Sequence, residues 1–158
     1  MPSAVREMME ATDEGIAMAD SDVNLNMNNC DDGCATFDVQ RFLRGLDAIF
    51  DVHKAPEQAE PYLQKARTEA EHSHNDAGLL TVLNETMGFY RSQGRHTDNL
   101  PIIRESLSIA DHLHLQEIDP QAWATTLINA ATGMRAAGRY EKAEQLYCQA
   151  LDAATSTF

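Results

Sequence analysis

The sequence predicts an all-α protein, and three observations carry that prediction. Apolar residues recur at helical spacing through residues 37–158, with no sustained apolar/polar alternation between hairpin turns. Turn glycines at Gly94 and Gly138 divide that pattern into paired stretches. Short polar connectors at 72–76 and 115–120 separate one pair from the next.

In chain order, residues 4–19 predict a short amphipathic helix with Val5, Met8, Thr12, Ile16 and Ala19 on one side, weakened by Asp13 and Gly15. Residues 20–36 are rich in Asn and Asp and predict a loop. Residues 1–36 thus read as an acidic, partly flexible segment, and residues 37–158 as the helical domain. Its first pair carries Leu43, Leu46 and Phe50, a turn near Lys54, then Ala59, Leu63 and Ala66. The second carries Leu83, Met87 and Tyr90, the turn Gly94-Arg95, then Ile103, Ser106 and Leu107. The third is the most regular. Leu127, Ala130, Ala131 and Met134 precede Gly138-Arg139, and Tyr140, Ala143, Tyr147, Ala150 and Leu151 follow it. Small residues at Ala131, Ala143 and Ala150 let two helix backbones approach. Asp76 and Asp119 stand where N-caps belong, and Pro120 where a helix opens. Pro56 and Pro101 fall in expected first turns, while Pro61 lies further into its helix.

The third pair resembles a tetratricopeptide repeat, which places large and small residues, a turn glycine, then Tyr, Ala, aromatic and Ala at fixed offsets. The resemblance covers residues 38–72, 76–114 and 120–155, and it fades toward the first. Turns at 54, 94 and 138 are 40 and 44 residues apart, longer than the usual period of about 34. Ala59-Glu60-Pro61-Tyr62-Leu63 is similar to the corresponding string of the longer, kinesin-light-chain type of repeat. The resemblance implies a right-handed superhelical stack of antiparallel helix pairs, an α-solenoid. It further implies a scaffold or protein-binding module that takes a peptide in its concave groove.

In that register the groove is lined by Arg44, Asn84, Arg91, Asn129, Thr132 and Arg135, with Arg41, Asp51, Thr81, Glu85, Ser92 and Thr125 beside them. Asn offers a donor and an acceptor to a peptide backbone, and guanidinium groups pair with carboxylates. The expected partner is a protein or peptide, acidic or bearing a free carboxylate. The groove that clamps chaperone C-termini in this family uses Lys, Asn, Asn, Lys and Arg. Here only Asn129 fits, with Arg44 a loose substitute, while Ala48, Glu85 and Thr125 stand at other clamp positions. That specialisation is disfavoured. A second reading, from another class, is a peptide- or ligand-sensing domain of a bacterial regulator, which would need an output domain.

Net charge is −13, and residues 1–36 contribute −7 of it. That balance argues against nucleic acid or an anionic membrane as partner. Three cysteines, Cys30, Cys34 and Cys148, do not make a disulfide scaffold, and no apolar run reaches the roughly 18 residues of a membrane span. A reduced, cytoplasmic protein is the expectation. The alternating oxygens of residues 20–31 imitate a calcium loop, but Leu25 replaces its glycine and Asp31 its bidentate Glu. Cys30 and Cys34 lack a second pair at zinc-ligand spacing, although His72, His74, His112 and His114 are available. No nucleophile, phosphate-loop or metalloprotease motif appears, so neither enzymatic activity nor a cofactor is expected. Leu146, Tyr147, Cys148 and Leu151 make the last helix's apolar band too wide for one contact face. Further repeats, a homodimer through the C-terminal helix, or residues 4–19 folding back would each cover it.

Overall fold

The computed structural model describes residues 36–51 and 56–156. The readings for residues 1–35, including the helix at 4–19, the calcium-like loop, Cys30 and Cys34, lie outside the described residues, as does the turn at Lys54. Every regular element described is helical: α1 (Val39–Asp51), α2 (Pro56–His72), α3 (Asp76–Ser92), α4 (His96–His112), α5 (Leu115–Ile118), α6 (Pro120–Ala136) and α7 (Tyr140–Ser156). The all-α class read from the sequence therefore holds for this part of the chain. No described helix is long and apolar enough to cross a membrane.

The two glycine turns work as their spacing requires. Gly94 (φ 68°) and Gly138 (φ 77°) adopt the left-handed conformation that a side chain resists. Each lets the next N–H reach back to a free helix carbonyl, Arg95 to Tyr90 at 2.9 Å and Arg139 to Met134 at 2.8 Å. His74 (φ 52°) fills the same place between α2 and α3, where the Asn75 N–H donates to the Ala70 carbonyl at 3.1 Å.

Two local expectations need correction. The N-cap of α3 is Asn75, whose side chain accepts from the Gly78 N–H at 2.8 Å, and Asp76 is already the first helical residue. Asp119 does cap α6, accepting from the Ala122 N–H at 3.0 Å with Pro120 behind it. Pro101 is not in a first turn, because α4 opens at His96 and makes Pro101 its sixth residue. It occupies the place Pro61 holds in α2, and both prolines are exposed.

The core has two parts. Phe42, Leu46, Ala59, Leu63, Ala70, Val82 and Leu83 join α1, α2 and α3. Ile103, Leu127, Ala130, Ala131, Met134, Ala143, Leu146 and Ala150 join α4, α6 and α7. Between them, α3 is buried at every residue from Gly78 to Tyr90, and α2, α4 and α6 pack against it. Tyr140 and Leu151, expected in the packed stripe of α7, are 69% and 64% exposed. The buried line of α7 is Ala143, Leu146 and Ala150. At 3.6 residues per turn, Tyr140 and Leu151 sit about a quarter-turn away from it.

Ion pairs set the direction of α2 against α4. Arg95 Nη1 meets Glu60 Oε1 at 2.8 Å, and Arg67 Nη2 meets Glu105 Oε2 at 2.8 Å. Residue numbers rise together, so the helices run parallel. On the other side, Asn99 near the start of α4 donates to the Met87 carbonyl of α3 at 3.1 Å. The same stretch of α4, through Ile103 and Asn99, lies against Gly133 near the end of α6. The C-terminal ends of α3 and α6 therefore meet at one end of the molecule, beside the start of α4.

Candidate binding surface

The six residues read as groove-lining divide into three kinds. Asn84 and Asn129 are buried, 4% and 1% exposed, and bond to each other. Asn129 Nδ2 donates to Asn84 Oδ1 at 2.9 Å, and Asn84 Nδ2 donates to the Leu80 carbonyl at 3.1 Å and to Thr126 Oγ1 at 3.3 Å. These amides join α3 to α6 and do not stand open to solvent, although Asn129 Oδ1 itself is buried with no hydrogen-bond partner among the described residues. Thr81, Glu85 and Thr125, placed beside them, are buried as well. Arg44 and Arg135 are exposed, on α1 and at the end of α6. Arg91 and Thr132 are half-buried.

The arginines differ sharply in what holds them. Arg67 bonds Glu71 through Nε at 2.9 Å and both Glu105 oxygens through Nη2. Burial alone would lower its pKa, but those two carboxylates more than offset it and leave it raised. Hydrogen bonds to Glu60 and Asp98 raise the Arg95 guanidinium, which also lies 4.3 Å over the Tyr90 ring. Arg91 has no ion pair among the described residues. Burial draws its guanidinium below the ordinary value, and the electrostatic influence of Tyr147 offsets only part of that. Arg44 and Arg135 likewise make no ion pair among the described residues.

Tyr147 is the functional candidate that sequence reasoning left in the packing stripe. Its hydroxyl lies 3.0 Å from Thr132 Oγ1. Thr132 gives its own proton to the Ile128 carbonyl at 2.8 Å, so Tyr147 is the donor of the pair. The aromatic spacing that marks a buried residue is the same spacing that lets a phenol reach a helix edge. Nothing in one sequence separates the two roles.

Elsewhere a cleft of about 630 Å3 opens between α5, the start of α6 and the end of α7, with Glu117, Trp123 and Asp152 among its lining residues. A smaller one of about 230 Å3 lies at the start of α1, between Arg41, Phe42, Tyr62 and Lys65. Neither includes any of the six residues. No group of three or more His, Cys, Asp or Glu among the described residues is placed to hold a metal ion.

Comparison with protein-family models, curated proteins and solved structures finds no match to this chain.

Proposed function

We propose that this chain is a peptide-recognition module built as a stack of antiparallel helix pairs of the tetratricopeptide type, and that it takes an acidic peptide along its first helices. The observation that carries this reading is the state of three guanidinium groups. Arg44, Arg91 and Arg135 lie on α1, α3 and α6, each the first helix of a pair, and none makes an ion pair among the described residues. Arg67 and Arg95 are instead held by the chain's own carboxylates; Arg41, Arg104 and Arg139 also make no ion pair among the described residues, and of these only Arg41 lies on the first helix of a pair. Arginines on the first helices that hold no carboxylate of the chain are available to pair with anions from outside. The parallel run of α2 and α4, with two glycine turns closing helix pairs, supports the stacked architecture. With Asn84 and Asn129 bonded to each other, recognition rests on side-chain charge more than on amide contacts to a peptide backbone.

A random-peptide display selection on the full chain tests the proposal. Enrichment of acidic peptides is expected, with binding lost in the Arg44→Ala/Arg135→Ala double variant. Selection of basic peptides, or of none that depend on these arginines, would defeat it.

A further inference from the structure

We infer that Arg91, Thr132 and Tyr147 form a seat for one carboxylate side chain of an extended peptide, with Arg135 at its mouth. This inference rests on the groove reading above and names the residues that give it chemical selectivity.

The three groups come from three helices that converge at one end of the molecule. Arg91 is in the last turn of α3 and Thr132 near the end of α6; Tyr147 reaches Thr132 from α7. Asn99 and its neighbours on α4 bring the ends of α3 and α6 together, as Met87 and Gly133 record. The Asn84–Asn129 bond then fixes how the two helices lie side by side two turns earlier. Their burial makes this part of the structure rigid, and a binding group gains from standing on such elements.

Arg91 is the chemical centre. A guanidinium carries five donors in a planar fork, and a carboxylate accepts two of them at once. Half-burying that fork without an anion is unfavourable. The α3 C-terminus offers only about half an elementary charge of opposite sign. The lowered basicity of Arg91 reports the same imbalance. A carboxylate arriving from outside corrects it and finds a second donor ready. The Tyr147 O–H, now given to Thr132, turns to the carboxylate, while Thr132 keeps its own bond to Ile128. No proton leaves any group. An ammonium gains nothing here, because the fork presents only donors, and a neutral amide offers one acceptor oxygen without the charge.

The test uses a fluorescein-labelled hexaglutamate peptide with an amidated C-terminus, hexaglutamine as its neutral counterpart, and fluorescence anisotropy on the full chain. Hexaglutamate is expected to bind and hexaglutamine to bind at least about tenfold more weakly, the worth of one charge-assisted hydrogen bond. Arg91→Met removes that preference, Arg91→Lys keeps charge but loses part of the affinity with the fork, and Tyr147→Phe weakens binding by a smaller factor. Arg104→Met, on the exposed face of α4, leaves it unchanged. Thermal melts guard against misfolding and supply an independent readout. Arg91→Met should melt no lower than the unaltered chain, because it removes a desolvated, unpaired cation, whereas Arg67→Met should melt lower. Equal losses from Arg91→Met and Arg104→Met would overturn the seat in favour of diffuse attraction. Acidic display peptides whose binding depends on Arg44 and Arg135 but is unchanged by Arg91→Met would overturn it while leaving the groove reading intact. A chain that selects no peptide at all would remove both.

Discussion

Asn129 donates its side-chain amide to Asn84 Oδ1 at 2.9 Å, joining α6 to α3 inside the molecule. Forty-five residues separate the two in the chain, and Thr126 extends the link by accepting from Asn84 at 3.3 Å. Removing one member strands the other, which costs more than the bond itself contributes.

Asn129→Leu is therefore expected to lower unfolding free energy by about 1–3 kcal/mol, with Asn84→Leu in the same range. The Asn84→Leu/Asn129→Leu double variant should lose clearly less than the sum, since two apolar side chains of similar size leave no stranded amide. Urea unfolding of the four proteins measures this cycle. Additive losses would mean that the two amides do not depend on each other.

The same pair shows where the sequence stopped being readable. The helices, the turns at Gly94 and Gly138 and the cap at Asp119 are set by local chemistry, and each was legible from a few adjacent residues. The starts of α3 and α4 were less so. Asn75 and Asp76 are both good caps, and only the side-chain bond to Gly78 decides between them. Polar residues at i and i+4 on a helix look alike whether they face water or an amide on another helix. Asn84 and Asn129 were thus read as open, though their partners lie more than forty residues away. That Arg91 makes no ion pair among the described residues was not legible, because it depends on where the carboxylates of other helices lie.

A second prediction concerns the contact of α4 with α6. A Cβ on Gly133 would come within 2.6 Å of Ile103 Cδ1 and 3.2 Å of Asn99 Nδ2, and both side chains are fully buried. Alanine gains about 1 kcal/mol of helix propensity over glycine. Overpacking costs about 1–3 kcal/mol and should win, so Gly133→Ala destabilises. The sign should reverse once Ile103→Val removes the offending methyl. In that background, chemical denaturation should find Gly133→Ala stabilising. Destabilisation in both backgrounds would place the clash on Asn99.

The lacing of α2 to α4 gives a third. Arg67 and Glu105 side chains are 30% and 34% exposed, so solvent screens the pair. A double-mutant cycle through Arg67→Met and Glu105→Gln should return a coupling of about 0.5–1 kcal/mol. Raising salt should shrink it, while the contact of Nη2 with both Glu105 oxygens keeps part of the coupling. Thermal melts at low and high salt read both effects. A coupling that grows with salt would rule out an electrostatic origin.

The last prediction follows from Tyr62. Its hydroxyl donates to the Phe42 carbonyl at 2.9 Å, and its ring stacks on Phe42 with centroids 5.8 Å apart. Desolvation by burial raises its pKa above the ordinary 10.0; nearby Arg41 opposes the shift, while Glu69 adds to it. The folded chain therefore holds this proton more tightly than the unfolded chain does. Below pH 10 both states keep it, and the group adds no pH dependence. As pH rises past 10 the unfolded state releases the proton first, so stability falls until the folded pKa is reached. Ionisation also removes the donor to Phe42, which anchors α2 on α1. Denaturation midpoints followed from pH 8 to pH 11 should decline more steeply for the unaltered chain than for Tyr62→Phe, which has no proton to lose. Parallel curves would assign the alkaline loss to other groups.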